Sequence, residues 1–474
     1  MLTWRVCDMI TQKDKNIVYQ PVKDLTISLE ILNSDMKIMD SIEGKLISDS
    51  FSIDANSDVR RSYSAELLVT DNSLIHGEGK LIWMDKYIRP YVGIKDSITS
   101  EVIKYLKGTF TILDGNYSYN ATTNTLSLSC SDLMSELNGE RNGVLKSSIK
   151  FEEGADVREL IVSLLTETKI RKYILSDLDG LTTPYEMEFD AAQTYYDVLN
   201  ELISLFSYFE MFFDVDGTFI IQKIPHQDTD NIVLNKEFLF PLIINENTSM
   251  SFKEVYNKIE VWGQSIEVDY STTVCTYDAT TNTYTATIDT IETPDNFQTY
   301  SIKLPQSNAD SPILSVNGLS LPITYDNGEK LKSEVMNAEY NAFKYRKADN
   351  NYYWLGEYQV YAEAEEMNTQ CPFHKSKIGE VRKVCTSGDY EKIYSNSLAQ
   401  DRADYELYHA CRLKETININ MIDIPWLDVN WLIEYQSCTT KDTNRYVIKQ
   451  INGSTTQGTI DVSMVLFYDE DPYS

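Results

Sequence analysis

YYDVLNELISLFSYFEMFFDVDGTFIIQKI, residues 195–224, decides the fold of this chain, because it reads as one helix–hairpin unit. Thr194 can cap the helix, and Val198, Leu199, Leu202, Ile203 and Phe206 recur at spacings that share a single apolar face. Asp216-Gly217 then sits between two aromatic, β-branched runs, the strongest short-range hairpin signal a sequence offers. No catalytic group requires that arrangement. It points to a building block of a structural protein.

Upstream, the first ~145 residues read as strands. Leu25, Ile27, Leu29 and Ile31 alternate with Thr26, Ser28 and Glu30, and the same period of two returns in residues 63–69 and 126–130. A helix is expected over 155–169, with Val157, Leu160, Ile161, Leu164 and Leu165 on one face. Downstream, strands resume in SFKEVYNKIEVWG (251–263), followed by a Thr-, Asn- and Tyr-rich stretch with short strands such as 283–288 and a helix near 329–347. A further helix is expected over 397–413, with Ala399, Ala403, Leu407 and Ala410 on one stripe. Closing strands are expected at 417–424, 431–435, 446–451 and 459–468. Trp426 and Trp431, in PWLDVNW, read as core residues at a strand entry. No low-complexity linker separates these pieces, so the domains are expected to be interleaved.

The 474 residues allow three or four domains. With 72 acidic against 42 basic residues the net charge is −30, which repels phosphate backbones and argues against sequence-specific nucleic-acid binding. Seven cysteines at 7, 130, 275, 371, 385, 411 and 438 are irregularly spaced and odd in number, so they are expected to be reduced and metal-free. The opening MLTWRVCDMI carries no basic region followed by an apolar core, and no apolar run reaches the ~18–20 residues of a membrane span. A soluble, cytoplasmically made protein is the expectation.

A cysteine nucleophile needs a nearby base, and the four histidines, His76, His226, His374 and His409, lie in no hydrolase context. No G-x-S-x-G, H-E-x-x-H or P-loop occurs. No catalytic and no cofactor-binding residue is assigned. Cys371-Pro-Phe-His374 with Cys385, His409 and Cys411 offers half of a zinc pattern, but the remainder is dispersed, so these read as scattered small core residues and no metal is assigned. Asp214-Val-Asp216-Gly217 and Asp177-Leu-Asp179-Gly180 read as Asp-Gly turns; a calcium loop counted from Asp214 would need a glutamate where Pro225 stands. Arg60-Arg61, adjacent cations in an acidic chain, read either as an interface anchor for a partner's carboxylates or as partners of this chain's own acids. Tyr352-Tyr353-Trp354 reads either as a sugar-stacking platform or as aromatic sheet packing.

Several segments in this order resemble the tail-hub or tail-tip proteins of phages that infect Gram-positive bacteria. They are SDVRRSYSAELLVTD (57–71), LSLSCSDLMSELNGERNGVL (126–145), the helix–hairpin unit, YNKIEVWG (256–263) and RYVIKQINGSTTQGTIDVSMVLFY (445–468). The resemblance implies kinship with the baseplate hub of contractile tails, a trimer whose two β-barrels per chain ring the end of the tail tube. It implies a mainly β, multidomain chain with α+β parts: a first tube-like barrel at 1–148, a small α+β domain at 149–228, a second barrel from 229–263 with 375–474, and a β-rich insertion at 264–374. The implied role is a structural virion protein that adapts a sixfold tube to a threefold tip or spike and leaves a channel for DNA. The implied partners are two further copies of itself, the tube protein, the central spike or tip protein, and other baseplate or distal tail proteins. The implied location is the virion tail, assembled in the host cytoplasm. Tail-tip relatives often continue into a peptidoglycan hydrolase or fibre; with Ser474 soon after the closing strands, no such extension is expected here. A receptor- or carbohydrate-binding tail protein and a cell-wall hydrolase are the competing readings.

Overall fold

The computed structural model describes residues 11–467 except 71, 120–123, 184–185, 207–208, 225–231 and 358. The N-terminal decapeptide with Cys7, as well as Pro225, His226 and Tyr468, therefore lies outside the described residues. Two compact units emerge, one from residues 1–250 with 414–470, the other from 251–413.

The first unit is built on a 13-stranded, mostly antiparallel sheet. Eight of its strands come from the N-terminal region: β1 (Leu25–Leu32), β2 (Ile38–Glu43), β3 (Leu46–Asp54), β4 (Arg61–Leu68), β5 (Tyr87–Lys95), β6 (Val102–Leu106), β7 (Phe110–Tyr119) and β8 (Asn124–Asp132). The others are Ile243–Ser251, Lys414–Ile422, Leu432–Gln436, Thr443–Gly453 and Thr459–Leu466. Of the two strand-rich regions expected to form barrels, the first and the 243–251 and 414–466 parts of the second share this one sheet, joined where the 443–453 strand pairs with β3, Asn452 opposite Ser52, whereas residues 258–263 and 375–413 of the second belong to the other unit. The period-two pattern explains how they share a core. Phe51, Tyr63 and Leu126 from one region and Ile419, Ile451 and Val462 from the other belong to a single buried cluster. Trp431 is buried in it and Trp426 packs on its side.

The helix–hairpin unit forms as its sequence dictates. Thr194 and Asp197 make a reciprocal capping box at the start of the helix Tyr195–Ser204, and Tyr195, Val198, Leu199, Leu202 and Ile203 are buried. Phe206 falls beyond the helix end and is only half-buried, because the helix stops at Ser204. The hairpin pairs Phe209–Phe213 with Phe219–Lys223. At its tip the Asp214 carboxylate accepts the N–H groups of Asp216 at 3.0 Å and Thr218 at 2.9 Å, and Gly217 takes the φ of +83° the turn requires. The expected 155–169 helix is Val157–Glu167, and the strand Tyr173–Leu175 adds in parallel beside Phe219–Lys223.

The second unit holds an eight-stranded sheet and a three-stranded one. The helix expected near 329–347 is not there: Tyr340–Arg346 is a strand, with Tyr345 opposite Tyr352 and Phe343 opposite Trp354. Cross-strand aromatic pairing outweighs the weak helical spacing of that segment. The helix Asn396–Ala410 lays Ala399, Ala403 and Ala410 against the three-stranded sheet, whose middle strand is Lys258–Ser265.

Candidate functional site

Arg60 and Arg61, weighed from sequence as an interface anchor or as partners of internal acids, make the second kind of contact. They are 4% and 1% exposed. Arg60 pairs with Glu210 and lies 3.7 Å from the centre of the Phe212 ring. Arg61 pairs with Asp428 and donates to the Phe213 carbonyl, while its backbone N–H donates to Asp132 at 2.9 Å. Burial raises the Asp132 carboxyl to about 6, against the pull of the Met134 and Arg61 amides. Glu210 is further held by Gln222 at 2.8 Å and Asn430 at 2.6 Å. Two adjacent arginines thus fasten β4 to the helix–hairpin unit and to the 428–430 segment.

Tyr352 and Tyr353 are 0% and 6% exposed. Tyr352 lies among Tyr300, Tyr345 and Phe343 in the core of the eight-stranded sheet, and the half-buried Trp354 donates its indole N–H to Asn341 at 3.0 Å. A sugar-stacking platform needs open ring faces, and these two tyrosines offer none. Their reading as sheet packing is the one the structure carries.

The surface that stands out is the other face of the main sheet. Residues alternating with its core form ladders of small polar side chains that run from strand to strand. One ladder passes from Asn420 to Asp461, Asn452, Ser52 and Ser62, each opposite the next. A second passes from Asn418 through Ser463 and Gln450 to Asp54. A third joins Ser50, Ser64, Ser129 and Asp114. The members brace one another: Asn420 donates to Asp461 at 2.8 Å and Gln450 to Asp54 at 3.3 Å. Two shallow grooves open on this belt, and among the described residues neither is lined by a lysine, arginine or histidine. In the same unit, cations gather instead in a separate cleft, where Arg89, Lys169, Arg171 and Lys172 meet Glu136 and Asp216. From sequence, alternation is legible in residues 25–31, 63–69 and 126–130. The belt is not, because a belt exists only once strands from both ends of the chain are adjacent.

The dispersed zinc pattern is partly gathered. Cys371 and Cys411 come together, with Sγ atoms 4.0 Å apart. Cys385 lies in the core beside Ile259 and Val261, His374 caps the short helix Lys375–Ile378, and His409 meets the Tyr405 ring edge to face.

A family model described as "Domain of unknown function (DUF5048)" matches residues 370–470. No curated protein matches the chain in sequence. Among solved structures, the chain is similar in fold to the 43 kDa tail protein of prophage MuSo2 from Shewanella oneidensis. That likeness has 12% identity and a TM-score of 0.50, and it covers 93% of this chain and 98% of that one. The tail protein from Neisseria meningitidis MC58 is similar at 9% identity and TM-score 0.49, over 94% of this chain and 97% of that one. Prophage tail protein gp18 from Listeria monocytogenes EGD-e is similar at 8% identity and TM-score 0.46, over 93% and 94%.

Proposed function

We propose that this chain is a structural hub of a phage or phage-like tail, which assembles as a trimer between the tail tube and the tip or spike and lines a passage for DNA. The observation that carries this reading is the belt of polar ladders, whose two grooves show no lysine, arginine or histidine among their described lining residues. Double-stranded DNA presents about one phosphate charge per 1.7 Å of axis, and a protein holds it by placing lysines and arginines against that charge. A wall of serine, asparagine and glutamine with scattered aspartate does the opposite: it stays hydrated, offers no counterion, and lets a polyanion slide. Three chains at −30 each would carry −90, which suits a conduit and not a clamp.

The fold shared with the Shewanella tail protein supports the same reading, as do the segments that resemble tail hubs. In it, each chain contributes two strand-rich regions to the ring, so that three chains present six, and a sixfold tube can seat on a threefold hub. The tube protein would meet one end of the ring and the spike or tip protein the other. The work done is assembly and passage, not catalysis.

The test is native mass measurement of the full chain with electron imaging of the same sample, alone and with its tube protein. The expected result is a trimer with a threefold ring whose lumen presents Ser64, Asn452 and their ladder neighbours. A stable monomer at micromolar concentration in the presence of the tube protein, or a ring whose belt faces outward, would overturn the proposal.

A further inference from the structure

We propose that Glu366, Cys371 and Cys411 form a binding site for a borderline-soft divalent cation of the zinc type, which ties the loop after the 359–365 strand to the end of the helix Asn396–Ala410. The three ligand-type atoms all lie within 4.8 Å of one another. The distances suit a shared ion better than a direct bond. A tetrahedral zinc with Zn–S bonds of about 2.3 Å places two sulfurs about 3.8 Å apart, and the Sγ atoms here are 4.0 Å apart. A disulfide would require them to close to about 2.05 Å. The Cys411 Sγ stands 3.8 Å from the Glu366 carboxylate, close to the separation of two ligands on one metal.

The surroundings hold the ligands in place. Cys371 and Cys411 are 0% and 4% exposed. Glu366 turns one carboxylate oxygen toward Cys411, while the other accepts the Asn368 N–H at 2.7 Å. Asn257, 1% exposed, frames the whole loop: its carbonyl accepts the Glu366 N–H at 3.0 Å and its side-chain amide donates to Phe373 and Gly379 at 2.8 and 2.7 Å. Its Oδ1 accepts from Val381 at 2.8 Å. A buried side chain that spends its hydrogen bonds on the loop bearing two ligands acts as metal-site supports do, fixing ligand geometry from behind. Cys411 is fixed at the helix end by its N–H to the Leu407 carbonyl at 2.8 Å.

Binding displaces the two thiol protons to solvent, and the cation's two charges offset the two thiolates beside the carboxylate. Three protein ligands leave the fourth tetrahedral position to water.

The test uses the full chain, purified under reducing conditions, stripped with a chelator and reloaded with zinc or cobalt(II). The expected result is one ion per chain, a thiolate-to-cobalt charge-transfer band in the near ultraviolet, and metal-dependent protection of Cys371 and Cys411 from alkylation, located by peptide mapping. Cys371→Ser and Cys411→Ser should each abolish stoichiometric retention, and Cys275→Ser should not. Because the mapping is done on the unmutated protein, it stands even if a variant fails to fold. No retained ion, protection falling on other cysteines, or a Cys371–Cys411 disulfide trapped in freshly isolated protein would each overturn the proposal.

Discussion

Replacing Arg60 by alanine distinguishes an internal fastening from a docking anchor. The Arg60 and Glu210 side chains are 4% and 8% exposed, so the pair is desolvated. Removing one partner of such a pair costs about 3–5 kcal/mol, mostly because the other charge is left buried. Here Glu210 keeps hydrogen bonds from Gln222 and Asn430, which pulls the value toward the low end. Loss of the guanidinium from the Phe212 ring adds up to about 2 kcal/mol at a desolvated site. The expected destabilisation is about 3–5 kcal/mol, large against the roughly 5–15 kcal/mol that holds a typical domain. A cycle of Arg60→Met, Glu210→Gln and the double variant should show coupling of about 1–3 kcal/mol, the double being milder than the sum. The assay is urea titration read by hydrogen exchange of peptides covering 61–68 and 209–213, because two units need not unfold together. Arg60→Ala of unchanged stability but lost self-association would refute the argument and restore the docking role.

Three further outcomes follow from the geometry. Burial pushes the Glu246 carboxyl up, but donors from Tyr435, the Cys438 amide and Ser437 outweigh it and hold it at about 2. Since its folded pKa lies below its unfolded value of about 4.3, its stabilisation is full above that value and fades as pH falls toward 2. Glu246→Gln should therefore be less stable at pH 7 and converge with the parent in acid, and parallel urea midpoints from pH 7 to 2.5 would contradict this. Ser64→Lys with Asn452→Lys places cations on the belt. Stability should move by no more than about 0.5 kcal/mol at the exposed Ser64 and only modestly at the half-buried Asn452, while DNA delivery by assembled particles drops; delivery at the parental rate would count against the conduit. Gly263→Ala should destabilise the second unit, because a Cβ there would stand 2.2 Å from the Ile393 carbonyl oxygen and 2.9 Å from Val360. Thermal unfolding of that unit unchanged by the substitution would show that the strand can shift.

The helix–hairpin unit was legible because every signal for it is local: the capping box spans four residues, the apolar face repeats within one helix, and Asp216-Gly217 marks the turn. The arginine cluster was legible only as two alternatives, since Glu210 lies 150 residues from Arg60 and Asp428 lies 367 from Arg61. The 329–347 segment misled because its pairing partner, not its own spacing, decides that Tyr340–Arg346 is extended. Glu366 went unnoticed beside Cys371 because one carboxylate among 72 acidic residues carries no signal until the fold brings Cys411 to it. The belt escaped for the same reason on a larger scale.

The pairing of β3 with the 443–453 strand also sets a timetable for synthesis. Gln450 meets Asp54 across 396 residues, so at about 5–20 residues per second a ribosome needs on the order of 20–80 s after β3 emerges to supply its neighbour. Through that interval β3 waits with an unpaired edge, the geometry that recruits strands from other nascent chains. The intervening 251–413 unit can complete its own sheets meanwhile, since its elements are contiguous in the chain. Messages truncated before about residue 450 should then yield insoluble protein even though most of the chain is present, and full-length yield should depend on chaperones that shield an open sheet edge.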